Sequence, residues 1–243
     1  MTILRILLLP GWQNSGTGHW QTQWEKLAGF ERVQQDDWWW PRRGDWMIRL
    51  EETLLADTRP AVLVAHSLGC HLVAAWAAHS QHRARVAAAL LVAPPDLARA
   101  DLPPQIQAWA PGWPGALQGV LQGVLQGVLP GVLPGVLPGA LPGVLPGALP
   151  GALPFSSTVV LSDDDPFCTR ARGQQMAAAW GSEAASLGAA GNINAASGLG
   201  DWPGGLALLD GLMQRAGLPA GQRVGQRGAP ALPAAAAPSI PRA

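Results

Sequence analysis

At 243 residues the chain is long enough for one sizeable core, and two full domains would be crowded. Formal net charge is zero and only 13% of residues are charged, which excludes bulk electrostatic attraction to nucleic acid or to an anionic membrane surface. Two cysteines, Cys70 and Cys168, make no disulfide framework. The apolar run at 6–9 is too short for a membrane span. It leads into Pro10-Gly11-Trp12 rather than a small-residue cleavage site, so a cytoplasmic protein without membrane contact is expected.

The first 110 residues alternate strand and helix signals. A nearly continuous apolar run at 3–9 predicts a strand buried on both faces. A helix is expected over 19–28, a short strand over 32–35 and a helix over 45–55, where Trp46, Leu50 and Leu54 recur at helical spacing. Residues 61–65 predict a second apolar strand, 68–78 an Ala-rich helix and 86–93 a third strand. Such alternation argues for a mostly parallel sheet covered on both faces.

The pattern then breaks. Residues 114–153 are ten tetrapeptides of the form PGAL, QGVL or PGVL. Gly and Pro at period four exclude an ordinary helix or central strand, and stacking repeats are much longer. We read a low-complexity loop inserted into the domain, with a linker or self-association segment as the alternative. Alternation resumes with a strand at 158–161, a helix at 169–180, a weak strand at 184–187 and a helix at 206–216, which Trp202-Pro203 would open. A disordered Ala/Pro/Gly-rich tail is expected over 217–243, leaving 1–216 as the folded domain.

The chemistry concentrates at Ala65-His66-Ser67-Leu68-Gly69, between an apolar strand and a helix. A serine nucleophile in such an elbow sits in a sharp turn, and the residues two before and two after it must be small for strand and helix to pass closely. The turn would hold the Ser67 hydroxyl at the sheet edge and make the Leu68 N–H one oxyanion donor. An ordinary βα turn capped by serine has similar letters. The second donor is expected from Pro10-Gly11-Trp12-Gln13, as the N–H of Trp12 or Gln13. Triad order in this fold is Ser, acid, His. The acid is expected in Ser162-Asp163-Asp164-Asp165-Pro166, with Asp165 favoured and Asp164 or Asp163 as alternatives.

All five histidines lie at or before position 82, so none follows the acid. His19, near the oxyanion loop, is the least implausible substitute base. His66 is expected to point away from the nucleophile, and His71, His79 and His82 to serve packing or to be exposed.

These segments together resemble the small serine hydrolases typified by YdeN and retinoblastoma-binding protein nine. The matching stretches are PGWQNSGTGHWQTQWE, VAHSLGC, LVAPPD, SDDDPFC and GNINAASGLGDWPGG, in the right order over roughly 3–110 and 155–216. The resemblance implies a single three-layer α/β-hydrolase domain, a Ser-His-Asp triad and esterase-like activity. Where that family carries Gly-His-Ile-Asn, this chain has Gly191-Asn192-Ile193-Asn194, so Asn192 occupies the histidine position. An Asn amide can hydrogen-bond the acid but cannot accept and return a proton near neutral pH. The expected function is hydrolysis of carboxylic esters, with amides as a second class, impaired in this copy. The alternative is an inactive relative that keeps its pocket for binding.

The sequence holds no phosphate loop, dinucleotide fingerprint or metal-ligand cluster, so the expected ligand is a small-molecule ester or amide, with no cofactor and no nucleic acid. Among the twelve tryptophans, Trp38-Trp39-Trp40 are candidates to rim the pocket and Trp12, Trp20 and Trp24 to line its entrance, with core packing as the alternative. Cys70 and Cys168 read as small buried hydrophobes.

Overall fold

The computed structural model describes residues 4–110 and 151–219. Most of the tetrapeptide run and nearly all of the expected tail lie outside the described residues.

In chain order the elements are β1 (Arg5–Leu9), α1 (Trp20–Ala28), β2 (Glu31–Arg32), α2 (Arg43–Leu55), β3 (Ala61–His66), α3 (Leu68–His79), β4 (Val86–Val92), β5 (Ser156–Leu161), α4 (Arg170–Trp180), β6 (Glu183–Ser186) and α5 (Pro203–Arg215). The strands form one sheet in the order β2-β1-β3-β4-β5-β6. Every pairing is parallel. The chain leaves β1, fills one edge with β2, crosses back to β3 and then walks to the other edge. That reversal between β1 and β3 opens a crevice at the carboxyl ends of the strands.

Successive strand residues point to opposite faces, and here both faces are covered. Leu7, Leu9, Leu63, Ala65, Ala89 and Leu91 face a core built with Trp46 and Leu50 of α2, Leu72 and Trp76 of α3, and Met176 and Trp180 of α4. Their alternates Ile6, Leu8, Val62, Val64, Leu90 and Val92 face a second core with Trp20 and Trp24 of α1 and Leu209 and Leu212 of α5. The unbroken apolar runs of the central strands follow directly from this double burial.

Element types agree with the sequence expectations; boundaries move by a few residues. His19 and Thr169 lie just outside their helices as N-caps, their side chains accepting from the N–H groups of Gln21 and Arg172. The last helix begins at Pro203, because proline at the first turn gives up no needed N–H. The short strand beside β1 falls at Glu31–Arg32 rather than 32–35. Only Leu7 and Leu8 offer it partners, and the chain then turns away.

Candidate active site

Ser67 is the hinge between β3 and α3. Its φ of 52° is a conformation non-glycine residues rarely adopt, and such strain clusters at functional sites. Two close approaches surround it. A Cβ on Gly69 would run into the carbonyl oxygens of Leu9 and Pro10, which are main chain and cannot swing aside. A Cβ on Gly11 would come within 2.7 Å of Ser67 Cβ. The small residues around the serine are thus demanded by β1 and its following loop, which pass directly against the elbow. The Ser67 N–H is tied to the Val92 carbonyl at 2.9 Å, while its side chain makes no capping bond. An ordinary capping serine would direct its hydroxyl back to the helix N–H groups.

Leu68 is the first residue of α3, so its N–H is among those a helix leaves without an internal acceptor. In the loop after β1, the Gln13 N–H is bonded to the Trp38 carbonyl at 3.0 Å. Of the two expected second donors, Gln13 thus spends its N–H on Trp38, while no main-chain bond among the described residues engages the Trp12 N–H. The loop is rigidly built. Arg32, whose side chain is 8% exposed, donates to Asn14 Oδ1 at 2.8 Å and to the Ser15 carbonyl at 3.0 Å. Gln21, fully buried, donates to the carbonyls of Leu9 and Val64 and accepts from the Ser15 hydroxyl at 2.7 Å. Gln21 ties the ends of β1 and β3 to this loop, a role the sequence does not signal, since a polar residue between Trp20 and Trp24 reads as an exposed helix position.

The three consecutive aspartates do three different things. Asp163 pairs with Arg170 at 2.8 Å near the surface. Asp164 accepts from the Ser162 hydroxyl at 2.8 Å and the Gly191 N–H at 2.7 Å, fastening the β5 end to the loop after β6. Asp165 accepts from Asn192 Nδ2 at 3.2 Å and from the Phe167 N–H at 2.9 Å. Burial raises the Asp165 carboxyl above its ordinary range, against the pull of these two hydrogen bonds. Asn192 is held on its other side as well. Its carbonyl lies 2.9 Å from His66 Nε2, and the next carbonyl, that of Ile193, accepts from the Trp20 indole at 2.8 Å. Ile193 has a φ of 48°.

His66 corrects one expectation. It does not point away from the nucleophile; it lies in the wall of the same cavity and bonds the Asn192 main chain. Burial lowers its pKa to about 4. His19 stands edge-on to it at 4.6 Å, and burial, followed by the neighbouring His66 and Arg32, lowers its pKa to about 2. The Gln21 N–H occupies His19 Nδ1 at 3.2 Å, so the neutral ring carries its proton on Nε2. With its lone pair engaged, His19 is a donor and does not suit the part of base. His71 bonds the Pro95 carbonyl and packs edge-on against Trp180, as expected of a packing residue.

The cavity at the strand ends has a volume of about 580 Å³, and Trp12, Gln13, Ser67, Leu68 and Asn192 all line it. Asp165 stands behind Asn192. Of the tryptophans among the described residues, only Trp12 lines the cavity. Trp20 and Trp24 are core residues whose indoles bond the carbonyls of Ile193 and Asp201. Trp39 and Trp40 are exposed and do not line the cavity, although the Trp39 carbonyl accepts from the Trp12 indole at 2.9 Å, and Trp38 packs edge-on against Trp46 of the core. Both cysteines are buried, and burial pushes the Cys168 thiol up to about 12. No cluster of metal-ligating side chains occurs among the described residues, and no helix among them is long and apolar enough to cross a membrane.

The family described as serine hydrolase matches residues 6–119 and 148–211, passing over the middle of the tetrapeptide run. A YdeN-like hydrolase of Pectobacterium atrosepticum is 25% identical and superposes over 89% of this chain and 93% of its own at a TM-score of 0.64. The ydeN product of B. subtilis is 18% identical over 86% of this chain and 98% of its own, with a TM-score of 0.58. A thermophilic esterase from Thermogutta terrifontis shares the fold at 16% identity, over 88% of this chain and 91% of its own, with a TM-score of 0.52. No curated protein matches the sequence. With a strained serine elbow at the crevice of a parallel sheet, and a family match over most of its length, the chain belongs to the serine hydrolase family.

Proposed function

We propose that this chain is a hydrolase of carboxylic esters, with amides as a second substrate class, in which Ser67 is correctly positioned but poorly activated. In this reading Ser67 Oγ attacks the acyl carbon, and the N–H groups of Leu68 and Trp12 stabilise the oxyanion. Asp165 is the orienting acid. Asn192 fills the position of the base. The observation that carries the reading is the bond from Asn192 Nδ2 to Asp165, which a histidine would make through its proximal ring N–H. The amide reproduces that orienting contact. Its oxygen can accept the Ser67 hydroxyl as a hydrogen bond, yet it cannot keep the proton and hand it to the leaving group. Loss of the base costs on the order of 10⁶ in turnover in serine hydrolases of this logic. A residue of about 10³–10⁴ over water comes from the oxyanion hole and binding.

The domain in this proposal spans 1–216, interrupted at 114–153 by the repeat and followed by the tail at 217–243; the protein is cytoplasmic. A fluorophosphonate probe tests the nucleophile: wild type should be labelled slowly and Ser67→Ala not at all. Absence of labelling in both wild type and Asn192→His rejects Ser67 as a nucleophile. The same residue favours a second reading, an inactive relative retaining the pocket for binding. That reading fails if wild type hydrolyses nitrophenyl esters as fast as Asn192→His.

A further inference from the structure

The cavity has two chemically different ends. Toward β4 and β5, Leu102, Pro103, Ile106 and Phe167 make an apolar wall. Arg99 also lies there, but its guanidinium is matched by both oxygens of Asp101, at 2.8 and 2.6 Å, so it offers no unpaired charge. At the other end stand Asn14 and His19 from the loop after β1 and Asn194 from the loop after β6. Asn14 Oδ1 accepts from the Ser15 N–H at 2.7 Å and from Arg32 Nη1 at 2.8 Å. Asn194 Oδ1 accepts from the Ala196 N–H at 2.9 Å. Those partners can only donate, so both amide oxygens are fixed toward the protein. No hydrogen bond among the described residues engages either NH₂ group. His19 Nε2, in a ring only 5% exposed, has no acceptor among the described residues. That atom is itself closed to solvent, so the NH₂ groups of Asn14 and Asn194 are the donors that a ligand can reach.

We infer that this donor-rich end binds the leaving group of the substrate, and that the substrate class is an ester of an apolar acid with an uncharged polyhydroxy alcohol. The inference rests on the hydrolase reading above and names its substrate. Orientation follows from the chemistry. As the bond from Ser67 Oγ to the acyl carbon forms and the bond to the alcohol oxygen breaks, the serine proton must reach that oxygen. With histidine at 192, as in Asn192→His, it travels by way of that ring, so the alcohol lies on the side of 192 and of Asn194. Water then cleaves the acyl-serine bond, releasing the acid and restoring the hydroxyl. The acyl chain lies against Ile106 and Phe167. An anionic alcohol is disfavoured because the cavity offers no unmatched cation.

Two isomeric esters test this with the same atoms reversed: glyceryl monohexanoate, with an apolar acyl group, and hexyl glycerate, with an apolar alcohol. In Asn192→His, kcat/KM corrected for alkaline hydrolysis rate should favour glyceryl monohexanoate by about tenfold or more. Asn194→Asp in that background keeps the oxygen that caps Ala196 but removes the NH₂ donor. It should cut the preference several-fold, with the change in KM rather than kcat. Asn14→Asp, which keeps the oxygen that accepts from the Ser15 N–H and Arg32, should do the same. Equal or reversed preference, or a preference untouched by both substitutions, overturns the inference while leaving the hydrolase reading intact. If Asn192→His neither turns over esters nor reacts with fluorophosphonate, the hydrolase reading itself falls. Calorimetric binding of glyceryl monohexanoate to the wild-type chain then decides the donor end: it must weaken in Asn194→Asp, and unchanged affinity rejects it.

Discussion

The elbow at Ser67 and the loop at Asn192 face each other across one cavity, and they are held by different physics. The elbow is steric. Main-chain oxygens of Leu9 and Pro10 crowd Gly69, Gly11 crowds Ser67, and the serine is left in a strained conformation it cannot escape. The loop at 192 is polar. Asp164 takes the Gly191 N–H, the Trp20 indole takes the Ile193 carbonyl, and His66 takes the Asn192 carbonyl. Those bonds hold the main chain whatever side chain residue 192 bears. A hydrogen-bonded loop can therefore exchange its reactive side chain and keep its shape, whereas the elbow cannot change a residue without moving a strand. In the proposed reading, positioning and activation of the nucleophile are therefore separable.

The largest test of that contrast is Asn192→His. Because the loop scaffold does not depend on the side chain at 192, esterase kcat should rise by several orders of magnitude, up to about 10⁶, measured with a nitrophenyl ester. A rise of less than tenfold would mean that the scaffold has lost its geometry along with its base.

The elbow should respond in the opposite manner. Gly69→Ala forces a methyl against main-chain carbonyls, an overpacking that costs about 1–3 kcal/mol or more. Both the denaturation midpoint and fluorophosphonate labelling of Ser67 should fall. Retention of both would remove the steric account of the turn.

Acid should weaken the side of the site built on neutral imidazoles. Burial holds His66 and His71 at about 4 and His19 at about 2, below the ordinary 6.5. The unfolded chain binds protons below about 6.5 that the folded chain refuses, so the histidine contribution is intact above that pH and is lost progressively toward pH 4. Asp165 opposes this, since its raised carboxyl takes up a proton more readily when folded, but it is one group against three. Thermal melts should show Tm falling from pH 6.5 to 4.5, with a shallower fall in His71→Leu. A flat profile contradicts the burial of these rings.

The smallest effect separates neighbours in one acidic run. Asp163→Asn removes the near-surface charge that pairs with Arg170, keeps an oxygen for the Ser186 hydroxyl, and should leave ester turnover of the Asn192→His background near unchanged. Asp165→Asn in the same background should lower turnover strongly, because it removes the acid that orients residue 192. Equal losses at the two positions would mean that the acid has been misassigned.

Much of this molecule is legible along the chain. The unbroken apolar runs of β1, β3 and β4 announce strands covered on both sides, and the small residues around Ser67 announce the elbow, because both are constraints between near neighbours in sequence. The absence of any histidine after Asp165 is visible at once. Other features arise only from long-range packing. Nothing local says that Gln13 turns its N–H to Trp38, that Trp20 and Trp24 serve the loop after β6 rather than the cavity entrance, or that His66 faces that loop. Asp165 is favoured along the chain, but the different partners of Asp163, Asp164 and Asp165 appear only in the fold, since three identical carboxylates differ only in what the returning chain brings beside them. The two-ended character of the cavity belongs to the same class: hydrogen bonds from Arg32, Ser15 and Ala196 decide which atoms of Asn14 and Asn194 remain for a ligand. The periodicity of the chain thus specifies the layers and the serine elbow, because backbone sterics and hydrophobic spacing act locally. Tertiary contacts alone assign hydrogen-bond partners, because each donor's acceptor is supplied by a segment far away in sequence.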